Sequence, residues 1–200
     1  MVPKEVNPKT KRRGQIIEAA LKAFSRHGLK ETSMDQIVQE SGVSKGLLYW
    51  YFKSKDELIQ AVFKSFFEGA IGMTGIAESS ASAIERLIRF RNVAVSEIAR
   101  VFRFRPIIQE LYVFAFRNKA IKKLAKKEFD IYLDLLKNIL QDGINRGEFR
   151  NVDPADVSNT IIAIIEGTSL LFFMGAMDAD VGEQIGNGIS LIIEAIKVPE

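Results

Sequence analysis

The strongest constraint on this chain is a period. Apolar residues recur at steps of three and four along most of its length, and no run alternates at period two between hairpin turns, so the expected fold is all-α, with about nine helices. Ile16, Ile17, Ala20, Leu21 and Phe24 mark one side of a first helix that Gly28 is expected to end. Thr32 and Ser33 offer an N-cap to a short second helix with Ile37 and Val38 inside. Gly42 stops that helix, because glycine accepts the left-handed conformation of a tight turn. Ser44 caps a third helix through Phe52, and Ser54, with Glu57 three residues on, caps a fourth.

Residues 75–82 are small and polar and read as a soft break. Helices are then expected over 83–104 and 107–117, separated by Pro106, and over 119–145, closed near Gly147. Asp153 and Pro154 read as N-cap and first-turn proline of a helix over 155–174, and a last helix covers 183–197. The expected domains are 10–70, carrying a helix-turn-helix at 33–52, and 71–200.

Charge is uneven. The net charge is +3, but residues 1–60 hold 11 Lys/Arg against 7 Asp/Glu, while 61–200 hold 17 against 18. A positive excess at one end suits a polyanionic partner. Without cysteine, disulfides, thiolate metal sites and cysteine nucleophiles are excluded, which fits a reducing cytoplasm. Met1–Lys11 is polar and basic, with no apolar run of a secretory signal. The apolar stretch Ile161–Met177 is short for a membrane span and carries Glu166, so it reads as a buried helix. His27 has no companion for a zinc site, the lysines at 119–127 read as an exposed helix face, and no catalytic or cofactor-binding constellation is visible. No enzyme activity and no cofactor are expected.

The run TSMDQIVQESGVSKGLLYWYF at 32–52 is helix, glycine turn, helix. In such a motif the first helix braces the second, so Ile37, Val43 and Leu48 belong inside. The second helix must enter the major groove, and Lys45, Gly46, Leu47, Tyr49, Trp50 and Tyr51 suit its outer face. Four aromatics on so short a helix cannot all be interior.

Residues Arg12 to Leu58, comprising RRGQIIEAALKAFSRHG, the motif above and KSKDEL, resemble the N-terminal domain of the TetR family of bacterial regulators. The resemblance implies a DNA-binding transcriptional regulator. It implies phosphate contacts from Thr32, Ser33, Ser44, Tyr49, Tyr51 and Lys55, with Trp50 on the same surface, and base contacts from Lys45, Gly46 and Leu47. Lys9, Lys11, Arg12 and Arg13 are either an added arm or a solvated tail. It also implies a homodimer through the last two helices, for which Ile161, Ile165, Phe172, Ile185, Ile189, Ile192, Ile193 and Ile196 supply the apolar surface, or else cover their own core. A small-molecule effector is expected in the second domain. Phe102, Phe104, Tyr112, Phe114, Phe116, Phe129, Leu133 and Phe173 form the apolar wall and Arg103, Arg105, Glu110 and Glu166 the polar anchors of a pocket, although an ordinary core has the same composition. The expected partners are thus operator DNA, an effector and a second copy of the chain. The favoured role is a repressor released by its effector, with an activator or a ligand-independent DNA binder as the alternative.

Overall fold

The computed structural model describes residues 8–66, 74–77, 80–102 and 104–199. In chain order its helices are α1 (Pro8–Glu31), α2 (Met34–Ser41), α3 (Lys45–Tyr51), α4 (Lys55–Ser65), α5 (Thr74–Ala77), α6 (Ala83–Phe102), α7 (Arg105–Arg117), α8 (Lys119–Asn145), α9 (Pro154–Phe173) and α10 (Val181–Ile196). The architecture is all-α, and among the described residues the sole β feature is an isolated bridge between Phe149 and Lys197.

The chain divides into two compact units, and the division is not a single cut near residue 70. One unit comprises residues 1–68 and 104–124; the other comprises 69–103 and 125–200. The segment around α7 joins the N-terminal unit because its apolar side (Ile107, Ile108, Leu111) is buried and α7 packs on α1. A burial pattern in sequence says that such a face needs cover but does not name the partner.

In the first unit, Ile16, Ala20 and Phe24 of α1 are buried, as are Ile37, Leu48, Leu58 and Val62 of the three following helices and Phe52 at the end of α3. Gly28 does not end α1 outright. It sits at a kink with φ of 81°, where a side chain would be strained, and Leu29–Glu31 continue beyond it.

In the second unit, Leu87 and Phe90 of α6, Leu136, Ile139 and Leu140 of α8, Ile161 and Ile165 of α9, and Ile185, Ile189, Ile193 and Ile196 of α10 form one core. Arg86 is buried beside this core, and its guanidinium donates to the Asp142 carboxylate at 2.7 Å and to the Ile76 carbonyl at 3.1 Å. One described helix, Pro154–Phe173, has the length and mean hydropathy (1.3) of a membrane span, a test that a core helix also passes. Its N-cap is Asp153, with Pro154 in the first turn, as the sequence suggested.

Candidate nucleic-acid interface

The α2–α3 corner is built from caps. The Ser33 hydroxyl accepts the Gln36 N–H at 3.2 Å, and the Gln36 side chain accepts the Ser33 N–H at 2.7 Å, a reciprocal capping box. At the other end Gly42 takes φ of 66° and donates its N–H to the Val38 carbonyl. Ser44 then caps α3 by accepting the Leu47 N–H at 3.2 Å. Ile37, Val43 and Leu48 are buried, so the brace is made as expected. Lys45, Gly46, Tyr49 and Trp50 are exposed, while Leu47 and Tyr51 are half-buried.

The other expected contact residues divide. Ser33 and Ser44 stand at exposed caps. Thr32 is only 1% exposed, and its hydroxyl donates to the Gly28 carbonyl at 2.7 Å. This corrects its expected role: that hydroxyl holds the α1–α2 corner together and does not face a phosphate. The Tyr51 hydroxyl donates to the Lys9 carbonyl at 3.3 Å, and the Lys9 ammonium lies 5.8 Å from the Trp50 ring centroid. The aromatics of α3 therefore hold the first turn of α1. Lys55 reaches back to the Lys30 carbonyl at 2.7 Å.

Two residues outside the expected DNA contacts are central to this geometry: Asp35, which sequence reasoning passed over, and Glu110, which it placed among the polar anchors of the pocket. Asp35, in the first turn of α2, lies 2.8 Å from the Lys45 ammonium at the start of α3. This hydrogen bond, reinforced by the charge of the carboxylate, raises the Lys45 pKa. Glu110 of α7 accepts the Leu29 N–H at 2.7 Å. The first pairing had a faint signal, an acid and a base flanking a glycine turn; the second had none.

A solvent-facing helix with a basic and aromatic surface, braced by a capped partner across a left-handed glycine, is a DNA-reading element. Residues 16–62 match the family described as bacterial regulatory proteins, tetR family. Over 149 residues the chain is 31% identical to the uncharacterized HTH-type transcriptional regulator YfiR of Bacillus subtilis, an alignment covering 73% of this chain and 72% of YfiR. The chain belongs to the TetR family. It is a DNA-binding transcriptional regulator, as are its relatives, and not an enzyme. A further TetR-type relative, the HTH-type transcriptional repressor KstR2 of Mycolicibacterium smegmatis, is 25% identical over 158 residues, covering 75% of this chain and 73% of KstR2. The fold matches that of a TetR transcription regulator from Haloarcula marismortui with a TM-score of 0.84 and 19% identity, covering 94% of this chain and all of that one (100%).

The residues expected to line an effector pocket fall in both units of this TetR-family protein. Phe104, Tyr112 and Phe116 belong to the first, and Phe116 is 71% exposed. Phe102, Phe129, Leu133, Glu166 and Phe173 belong to the second. Arg103 lies outside the described residues, as does the side chain of Arg105. Within the second unit, the Phe102 ring stacks on Phe173 at 5.1 Å and meets Phe172 edge-on at 4.6 Å. Ser169, one turn before Phe172 and Phe173, is buried with no hydrogen-bond partner for its hydroxyl among the described residues. Tyr132 of α8 has its pKa pushed up to about 12, first by burial and then by Glu128, Glu97 and Glu166, with Arg100 opposing. An open groove of about 480 Å³ lies elsewhere, between α6 and α10; Arg91, Val95, Gly182 and Ser190 line it, and none of the expected pocket residues does.

The expected dimer residues are placed differently from the dimer reading. Ile161, Ile165, Ile185, Ile189, Ile193 and Ile196 are buried within their own unit, and Phe172 and Ile192 are half-buried against it. The stripe faces inward because α10 packs along α6 and α9, which cover it. The large apolar side chains exposed on these two helices and at the C-cap of α9 are Leu170, Leu171, Met174 (69% exposed) and Leu191 (72% exposed).

Proposed function

We propose that the protein is a homodimeric repressor that binds a pseudo-palindromic operator in the cytoplasm and leaves it when a small-molecule effector binds its second unit. The observation that carries the dimer is the exposure of large apolar side chains on α9, its C-cap and α10: Leu170, Leu171, Met174 and Leu191. Large apolar side chains left exposed favour burial against a partner. A single helix-turn-helix reads one half-site, so a second copy supplies the other. Repression is supported by the repressor KstR2, a relative of this chain.

The effector reading rests on the ring cluster of Phe102, Phe172 and Phe173 and on the Ser169 hydroxyl one turn earlier on α9, buried without a partner among the described residues. A buried polar group left unpaired costs about 1–3 kcal/mol, which a ligand group can recover. Release follows if the effector prefers a conformation that meets the operator poorly, since linkage then lowers DNA affinity.

The test is selection of duplexes from a random pool, followed by light scattering of the protein alone and on the selected duplex. An enriched two-fold-symmetric sequence bound by two chains is the expected result. An enriched asymmetric sequence bound by one chain would overturn the dimer.

A further inference from the structure

Lys45 is the first residue of α3, and its ammonium is held 2.8 Å from the Asp35 carboxylate. Asp35 is itself well anchored. It follows the capped N-terminus of α2, its neighbour Gln36 closes the capping box, and Ile37 is fully buried. The backbone that carries Asp35 is therefore held beside the helix that reads DNA, and its exposed carboxylate reaches Lys45 from there. A lysine on this surface would otherwise be a flexible point charge, able to pair with any phosphate in reach. From this geometry we infer that Asp35 is a specificity-determining residue, which positions Lys45 for a base edge and withholds it from indiscriminate phosphate contact.

The physics is a choice between two partners for one ammonium. To pair with a phosphate, Lys45 must swing off the carboxylate and leave Asp35 facing a polyanion uncompensated. To meet an acceptor on a guanine edge, it can keep Asp35, because an ammonium has three donors. The pair thus disfavours the contact that carries no sequence information and tolerates the one that does. Both side chains are exposed, so in the free protein the pair adds little to stability. Its effect appears when DNA arrives. The inference rests on α3 entering the major groove, and the two can fail separately.

The experiment uses the full chain with Asp35→Asn, Asp35→Glu, Lys45→Ala and the double variant Asp35→Asn/Lys45→Ala. Affinity is measured for the duplex enriched from a random pool and for sheared mixed-sequence DNA, across 50–200 mM salt. With Asp35→Asn, mixed-sequence affinity should rise several-fold at low salt. The salt slope should steepen by about 0.9 per chain, the value for one additional phosphate neutralised. The ratio of selected to mixed-sequence affinity should fall by about tenfold, within the range of one base contact. Asp35→Glu should retain most of that ratio, and its unchanged charge guards against a folding artefact. The double variant should match Lys45→Ala. An unchanged slope and ratio in Asp35→Asn would overturn the inference. So would a double variant less specific than Lys45→Ala, because Asp35 would then act on DNA by itself. If Lys45→Ala discriminates as well as the unmodified protein, it is the base-reading role of Lys45 that fails.

Discussion

The backbone N–H of Leu29 donates to the Glu110 carboxylate at 2.7 Å, across a sequence separation of 81 residues. The contact fastens α7 to the kink in α1, just before the corner that presents Ser33. A Cβ on Gly28 would lie 2.9 Å from the same carboxylate. Glu110→Ala would leave a part-buried donor unsatisfied, at a cost of about 1–3 kcal/mol. The expected outcome is a lower melting temperature and weaker operator binding, although Glu110 is not among the expected DNA contacts. Glu110→Gln keeps an acceptor and should lose less in both assays. Equal melting temperatures for all three proteins would show that the contact contributes nothing.

The caps of the reading helix make a second, local prediction. Ser44→Ala removes the acceptor for the Leu47 N–H and should destabilise the protein by roughly 0.5–2 kcal/mol. Denaturant titration measures the loss. Thr32→Ala should also destabilise, because it removes an internal hydrogen bond, but it should leave the salt slope of DNA binding unchanged.

For the dimer, the inward and outward faces of α9 and α10 predict opposite failures. Met174→Glu with Leu191→Glu should give folded monomers, seen by light scattering, with helicity retained. Ile189→Asp should instead unfold the second unit, because Ile189 is fully buried in its own core. A folded monomer from Ile189→Asp would contradict that placement.

Tyr132 predicts a pH effect with a definite sign. Its pKa is pushed up to about 12, above the ordinary value of 10.0, so the folded state keeps a proton that the unfolded state has begun to release. Stability should therefore be intact below about pH 10 and fall as pH rises toward 12. Melting curves across that window should flatten in Tyr132→Phe relative to the unmodified protein.

Ser169→Ala tests the buried hydroxyl. Without ligand, removing an unpartnered buried hydroxyl should leave stability unchanged or raise it slightly. Once an effector has been found by its release of operator DNA, the same variant should need more of it. A large loss of stability in the absence of ligand would show that the hydroxyl has a structural role.

Local features of this protein were legible in its sequence, and long-range pairings were not. Ser33, Ser44, Ser54 and Asp153 announced helix starts because capping acts over three residues. Ile37, Val43 and Leu48 could be assigned inside because a helix-turn-helix leaves one buried side. Periodicity found the stripe on α10 but could not say whether it met α6 or a second chain. The same limit hid the neighbour of the α7 segment: Pro106, in its first turn, marks where that helix starts and does not say which unit it joins. Thr32 was misread because a hydroxyl at a helix start can turn outward to a ligand or inward to a carbonyl, and residue type does not decide which.

The interleaving of the two units bears on how this regulator can be cut. The chain leaves the second unit after residue 103, contributes residues 104–124 to the first, and then returns. The DNA-reading part is therefore not a module that can be severed at a linker. A fragment ending near residue 68 would retain every residue of the α2–α3 corner and lose Ile107, Leu111 and Glu110, which cover and fasten α1. Such a fragment carries a complete recognition surface on an incomplete support.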